Sequence, residues 1–113
     1  EAIALGIDLF DCVLPTRFAR HGTVLTATGR YNLKAAAHAR DAGPLDRDCG
    51  CSVCARWSRG YLRHLMMVAE PTGARLVTRH NLAWTFALVA RARAAVRAGT
   101  LDALRSDIGA VWG

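Results

Sequence analysis

Three of the four cysteines in this chain, Cys49, Cys51 and Cys54, lie within a span of six residues. A histidine, His80, lies 26 residues beyond the last of them. Three thiolates and one imidazole form a complete tetrahedral shell for zinc. Because a complete shell leaves no position for a water molecule, the pattern predicts a structural metal ion rather than a catalytic one. The chain between Cys54 and His80 must then fold so that the histidine returns to the cysteines.

Other uses of the cysteines are open on spacing alone. They could be buried or redox-active thiols with an unrelated histidine, or ligands of an iron–sulfur cluster, which a histidine ligand disfavours. His21, His38 and His64 are weaker ligand candidates. Cys12 stands apart from the cluster, so the cysteines do not have the spread of a secreted disulfide scaffold. A reducing, cytoplasmic compartment is expected.

The totals describe one packed domain or a piece of one, since the chain has 113 residues, of which 52% are hydrophobic. The net charge is +6, and fourteen of the fifteen basic residues are arginine. That bias suits an anionic partner such as a nucleic acid, although base composition of the gene can also produce it. No apolar run is long enough to cross a bilayer. The opening residues lack the basic start of a signal peptide, and they suggest a chain that begins in mid-protein.

Residues 7–14 form a short apolar run closed by Pro15, which predicts a strand buried on both faces, as in a parallel sheet. The run contains Asp8 and Asp11, which are three residues apart and therefore point to opposite faces of a strand. They are not expected to form a catalytic pair. Asp11 is nearer the carboxyl end, where α/β folds hold their chemistry. Composition leaves open whether Asp11 is catalytic or only a hydrogen-bonded carboxylate at a strand end.

The next segments alternate between loops and regular elements. Residues 16–22 are predicted to form a basic loop, and residues 23–34 a β-hairpin with Gly29 in its turn. Apolar residues then recur at helical spacing from Ser52 or Val53 onward, and Pro71 is predicted to break that helix.

Two further helices are expected in the last third of the chain. Thr78 and Asn81 are possible N-caps of the first, which Gly99 would end. Residues 101–112 carry apolar side chains at helical spacing and are predicted to form the last helix.

Four stretches of this sequence resemble the tRNA-guanine transglycosylase (queuine tRNA-ribosyltransferase) family of bacteria. They are GIDLFDCVLPTR at residues 6–17, PLDRDCGCSVC at 44–54, WSRGYLRHL at 57–65 and HNL at 80–82. The resemblance covers essentially the whole chain, in order and with matching spacing.

The resemblance implies an enzyme, a pentosyltransferase, that exchanges the wobble guanine of certain tRNA anticodons for a 7-deazaguanine base in queuosine biosynthesis. Asp11 falls on the family's nucleophile, which forms a covalent aspartyl–ribose intermediate. Arg17 and Arg20 match basic positions that contact the tRNA anticodon loop. The three clustered cysteines and His80 match the ligands of one structural zinc ion.

The implied fold is the C-terminal part of a TIM (β/α)8 barrel. Residues 1–20 would be the last barrel strand and catalytic loop, 21–80 a zinc-binding insertion with a hairpin and a helix, and 81–113 the closing helices. A TIM barrel needs about 250 residues, so this chain cannot close one. The base pocket and a second catalytic aspartate of the family lie upstream, and the isolated chain is therefore expected to be inactive.

Two other interpretations use the same residues. The chain could be a stand-alone zinc-stabilised RNA-binding module, or a dimerisation module, since the insertion also takes part in homodimer contacts in this family. A buried strand carrying Asp11 would serve neither, so the enzyme is the preferred interpretation. No membrane association is expected.

Overall fold

The computed structural model describes residues 1–113, which form a small mixed α/β domain. Its elements, in chain order, are α1 (Leu14–Arg20), β1 (Thr23–Thr26), β2 (Gly29–Asn32), α2 (Arg59–Met67), α3 (Pro71–Ala98) and α4 (Leu101–Trp112), with short 3-10 turns at Ala2–Leu5 and Ala36–His38. None of the helices combines the length and apolarity that crossing a membrane requires. The closed sheet of a barrel is not present in these residues, whose one sheet has two strands.

The strand predicted for residues 7–14 is not formed. Residues 7–13 have no regular secondary structure, and Ile7, Leu9 and Phe10 are exposed by 48, 90 and 55%. The physical reason is that a strand needs a neighbouring strand to receive its backbone hydrogen bonds, and the hairpin does not extend to this segment. Asp8 and Asp11 are accordingly exposed rather than buried.

The basic loop predicted for residues 16–22 is largely helix α1. Pro15 lies in its first turn, where proline's missing N–H would have no helical partner and its fixed φ suits the helix. The Thr16 hydroxyl donates a hydrogen bond to the Val13 carbonyl oxygen at 3.0 Å. Pro15 and Ala19 are the buried residues of α1, which packs against α3 and leaves its arginines in solvent.

The predicted hairpin is confirmed. β1 and β2 pair antiparallel, with Thr23 opposite Asn32 and Thr26 opposite Gly29. Gly29 has φ of 117°, a conformation that residues with a side chain rarely adopt. Val24 and Leu25 of β1 are buried, while β2 alternates between half-buried and exposed residues, so β1 is the inner strand.

The helix predicted to begin at Ser52 or Val53 begins later, at Arg59. Its N-cap is Ser58, whose hydroxyl oxygen accepts a hydrogen bond from the Tyr61 amide at 3.1 Å. Residues 51–56 instead form a bend and turns, in which Cys51 Sγ accepts a hydrogen bond from the Cys54 amide at 3.4 Å. The helical spacing of apolar residues from Trp57 onward therefore predicted the start of α2 too early.

The break predicted at Pro71 is confirmed, but the start of the following helix is not where the sequence indicated. Pro71 is the first residue of α3, and the Glu70 carboxylate caps it by accepting from the Thr72 amide at 3.2 Å. Thr78 and Asn81, predicted as N-caps, lie well inside this 28-residue helix. The C-terminal end at Gly99, with φ of 71°, and helix α4 are as predicted.

The core lies between the hairpin, residues 45–53, α2 and α3. Its larger fully buried aliphatic side chains are Val24, Leu33, Leu45, Val53, Leu62 and Val77, and Ala19 of α1 is buried with them. One residue of the cysteine-rich loop, Val53, thus anchors that loop in the same core as the hairpin and the two helices. The position of the cysteines is fixed by this packing as well as by any metal.

Gly73→Ala is expected to destabilise the fold by about 1–2 kcal/mol, because a methyl group would overpack the contact between α2 and α3. A Cβ at Gly73 would lie 2.9 Å from Leu65 Cβ and 3.1 Å from the Met66 nitrogen. Gly109→Ala in α4 is the matched control, since nothing lies within 4 Å of its Cβ. That variant should gain about 0.5–1 kcal/mol from helix propensity. Urea unfolding of the zinc-loaded proteins measures the change in unfolding free energy of both variants. Changes of the same sign would contradict the overpacking argument.

Candidate metal centre

The structure brings Cys49, Cys51, Cys54 and His80 together. The ligand atoms of the four residues all lie within 4.8 Å of one another. His80 Nδ1 is 3.6 Å from Cys51 Sγ and 3.3 Å from Cys54 Sγ. We call residues 49–54 the cysteine knuckle. It provides three ligands from one loop, while α3 provides the fourth.

The two sulfur–nitrogen separations fit a tetrahedral zinc ion. With Zn–S bonds of about 2.3 Å and Zn–N bonds of about 2.0–2.1 Å, ligand atoms in a tetrahedral shell are about 3.5–3.8 Å apart. The observed sulfur–nitrogen distances lie near this range. Four protein ligands fill the shell, so the centre fits a structural zinc ion and the prediction of that cofactor is confirmed.

The His80 ring is held in one orientation by the hairpin. Its Nε2–H donates a hydrogen bond to the Leu25 carbonyl oxygen at 2.8 Å, which leaves the lone pair of Nδ1 directed at the sulfurs. A second hydrogen bond of this kind fixes the tautomer of a metal-binding imidazole and raises its basicity. The side chain is completely buried, so the hairpin and α3 together fix the orientation of this ligand in the folded domain.

Burial disfavours the charged forms of Cys49, Cys54 and His80. It raises the pKa of the Cys54 thiol to about 12 and also raises the pKa of the Cys49 thiol. Burial lowers the pKa of the His80 imidazole. The thiolates of Cys49 and Cys54 are therefore favoured by a bound divalent cation, and binding of that cation releases thiol protons.

Asp46 connects the cysteine knuckle to the hairpin, and sequence reasoning did not identify it. One of its carboxylate oxygens accepts from the Asp48 amide at 3.0 Å, and the other accepts from the Ala27 amide at 2.9 Å. Asp46 is only 7% exposed. An aspartate that can accept from the backbone amide two residues later is a recognisable turn signal, but the contact of Asp46 with the hairpin depends on the tertiary fold.

Asn81, which the sequence indicated as a possible N-cap, instead joins α3 to β1 and α1. Its Oδ1 accepts from the Leu25 amide at 3.0 Å, and its Nδ2 donates to the carbonyl oxygens of Thr23 and Pro15 at 3.0 and 3.1 Å. The side chain is fully buried. Consecutive residues of α3, His80 and Asn81, thus bind both backbone polar groups of Leu25. Its place directly after the predicted ligand His80 was the signal available in the sequence.

The remaining predicted site residues lie away from the metal-binding group. Asp11 is in the irregular segment before α1, is exposed, and makes no side-chain hydrogen bond or ion pair. Arg17 and Arg20 are exposed on α1, one turn apart and on the same side of the helix. The chain therefore separates a metal-stabilised part from an exposed segment that carries a carboxylate and two guanidinium groups.

A cysteine knuckle and a long helix joined through a Cys3His centre, with a hairpin packed against the helix, define a small domain stabilised by a structural metal ion. Comparison with known proteins identifies the family of this domain. A model of the family described as TGT, queuine tRNA-ribosyltransferase, matches residues 1–112. The chain belongs to this family.

Curated relatives are similar over nearly the whole chain. The queuine tRNA-ribosyltransferase of Desulfosudis oleivorans is 50% identical over 105 residues, which are 93% of this chain and 27% of that protein. The relative from Pelotomaculum thermopropionicum is 49% identical over 107 residues, or 95% of this chain and 29% of that protein. The chain thus spans under a third of the length of these relatives.

Proposed function

We propose that this chain is the nucleophile-bearing and zinc-bearing part of a tRNA-guanine transglycosylase. The observation that carries the proposal is the family match over residues 1–112, together with the four metal-binding side chains at its centre. The proposed reaction exchanges the wobble guanine of a tRNA anticodon for a 7-deazaguanine base, as in queuosine biosynthesis. Its substrate partners are the tRNA anticodon loop and that base.

In this reaction the Asp11 carboxylate acts as the nucleophile. It attacks the ribose anomeric carbon as the bond to guanine breaks, and a covalent aspartyl–ribose intermediate forms. The incoming base then attacks the same carbon, the Asp11 ester bond breaks, and the carboxylate is regenerated. A carboxylate nucleophile divides one difficult substitution into two easier ones. The exposure of Asp11 and its lack of an ion pair leave the carboxylate accessible for this role.

Arg17 and Arg20 are proposed to hold the anticodon loop. Both guanidinium groups are exposed and neither is neutralised by a carboxylate. They follow the proposed nucleophile by six and nine residues on a rigid helix. Arginine is suited to this role because its fork of N–H donors binds phosphate oxygens in pairs.

The rest of the proposed enzyme is a TIM barrel with the boundaries predicted above, at residues 20 and 80. Its support is the exposed apolar run at residues 7–13, which has the composition of a buried strand and no sheet to join here. A homodimer is proposed through the insertion, where Trp57 and the 46% exposed Tyr61 line a concavity of about 430 Å³. The proposed location of the enzyme is the cytoplasm.

The test of this function is a chimeric enzyme. This chain would replace the matching region of the Desulfosudis oleivorans relative, and incorporation of labelled guanine into tRNA would be measured. The chimera should exchange base, and Asp11→Asn should lower the rate by at least about a thousandfold. Asp8→Asn is the matched control, because Asp8 is equally exposed on the same segment. Full activity of the Asp11→Asn chimera would refute the assignment of the nucleophile.

The isolated 113-residue chain is expected to show no base exchange, because the pocket for the base is proposed to lie in the part of the enzyme upstream of these residues. The same guanine-incorporation assay on the zinc-loaded chain measures this. Turnover that disappears in Asp11→Asn would overturn the expectation and make this chain a sufficient catalyst.

A further inference from the structure

A second basic surface lies beside the proposed tRNA contacts, between α1 and α3. The cavity there has a volume of about 630 Å³ and is lined by Thr16, Arg20, Ala74, Arg75, Thr78 and Arg79. We call it the α1–α3 groove. Three of its six lining residues are arginine, and the groove contains no acidic residue.

The arginines of the α1–α3 groove have no carboxylate partner. The ion pairs of this chain involve Arg59 and Arg105, and neither lines the groove. Arg79 Nη2 donates to the Ser52 hydroxyl at 2.9 Å, while Arg20 and Arg75 make no side-chain hydrogen bond. Three like charges around one concavity repel one another, so an anionic ligand there would relieve an unfavourable interaction.

The hydroxyl groups of the groove are already used within their own helices. Thr16 donates to the Val13 carbonyl oxygen, and Thr78 donates to the Ala74 carbonyl oxygen at 2.8 Å. The free donors of the cavity are therefore guanidinium N–H groups, those of Arg20 and Arg75 and the ones that Arg79 does not use on Ser52. Planar forks of N–H groups bind phosphate oxygens bidentately, which favours phosphodiester groups as the ligand.

The groove continues directly from the proposed tRNA contacts. Arg20 belongs to both, since it lies one turn from Arg17 on α1 and also lines the groove. Arg75 and Arg79 face it from α3, one helical turn apart, at a rise of about 6 Å. An RNA strand that reaches Arg20 would therefore meet a second row of positive charge on α3.

We propose that the α1–α3 groove binds the phosphate backbone of the tRNA, with Arg75 and Arg79 extending the contact of Arg17 and Arg20. This inference rests on the proposed function for the identity of the RNA. The recognition is of phosphate groups, so it positions the RNA and does not read its sequence.

Binding of an anticodon stem-loop RNA to the zinc-loaded 113-residue chain, measured over a range of salt concentrations, tests the groove. Arg75→Gln/Arg79→Gln should reduce the slope of log K against log salt by about two, since each lost phosphate contact removes about one. At 0.1 M salt the affinity should fall about ten- to a hundredfold. Arg75 lies farther along α3 from the metal ligand His80 than Arg79 does. The single variant Arg75→Gln should therefore leave the metal centre intact and give about half of the change in slope.

Arg93→Gln/Arg97→Gln is the matched control. These residues are exposed on the same helix, with the same four-residue spacing, and lie outside the groove. A slope that changes equally in both double variants, or in neither, would overturn the groove, as would absence of RNA binding by the unchanged chain. Zinc content and the far-ultraviolet circular dichroism spectrum confirm that each variant is folded.

The chimeric enzyme separates this inference from the proposed function. Base exchange that depends on Asp11, together with an unchanged salt slope in Arg75→Gln/Arg79→Gln, would overturn only the groove. RNA binding that depends on Arg75 and Arg79, without any Asp11-dependent exchange, would overturn only the transglycosylase assignment and retain the groove.

Discussion

Chelation of zinc from this chain is expected to unfold the hairpin, the cysteine knuckle and α2 together. A structural zinc ion contributes about 10–16 kcal/mol to the folding of small zinc domains near neutral pH. Net stabilities of whole domains are about 5–15 kcal/mol. Only 19 of the 113 residues here are buried, so the aliphatic core is too small to replace the contribution of the metal. The metal-free chain should therefore be largely unfolded in this region.

Circular dichroism and tryptophan fluorescence during titration with a chelator measure this loss, and added zinc should reverse it. Cys54→Ser should bind zinc weakly and resemble the chelated protein. Cys12→Ser is its control, because Cys12 is exposed and outside the metal-binding group. That variant should retain one zinc ion per chain. A chelated protein with an unchanged melting temperature would show that the core suffices without the metal.

Asn81→Ala is expected to lower the free energy of unfolding by about 3–5 kcal/mol, which is the second largest expected effect on stability. The substitution would leave the Leu25 amide and the Thr23 carbonyl oxygen without their partner, and it would remove the second hydrogen bond of the Pro15 carbonyl oxygen, which already accepts within α1. Each unsatisfied buried polar group costs about 1–3 kcal/mol, although some relaxation reduces the sum. The same contacts join β1 and the start of α1 to α3, so their loss should also weaken zinc binding by moving Leu25 away from His80.

Urea unfolding and zinc competition measure the two effects of Asn81→Ala. Thr85→Ala is the matched control one turn along α3, since the Thr85 hydroxyl only donates to the Asn81 carbonyl oxygen of its own helix. It should cost less than about 1 kcal/mol. Asn81→Asp distinguishes the polar contacts from shape, because a carboxylate has the same size but cannot donate to the two carbonyl oxygens. If Asn81→Asp were as stable as the unchanged protein, the contacts would not be the cause.

Local patterns in the sequence were informative where one residue type decides the structure. The hairpin turn was predictable because Gly29 can adopt a positive φ at no steric cost. The breaks at Pro71 and Gly99 were predictable for similar backbone reasons. Helix α1 was not predicted, because its basic residues resemble a loop and its stability comes from packing Pro15 and Ala19 against α3.

The sequence was least informative where an element depends on a partner. Residues 7–13 have the composition of a buried strand but remain irregular and exposed, since composition cannot supply the neighbouring strand that a ladder requires. The start of α2 was misplaced because the cysteine knuckle constrains a segment whose apolar spacing is helical. In both cases the missing information was a contact with another part of the chain or sheet.

The sequence by itself determined the metal centre, because three thiols and an imidazole at this spacing have few other uses and their chemistry selects zinc. Only the tertiary structure decided how that centre is held. His80 and Asn81 both bind the backbone of Leu25, which lies 55 and 56 residues away from them in the chain. Hydrogen bonds over such separations depend on where the backbone of β1 lies relative to α3, and no local pattern contains that position.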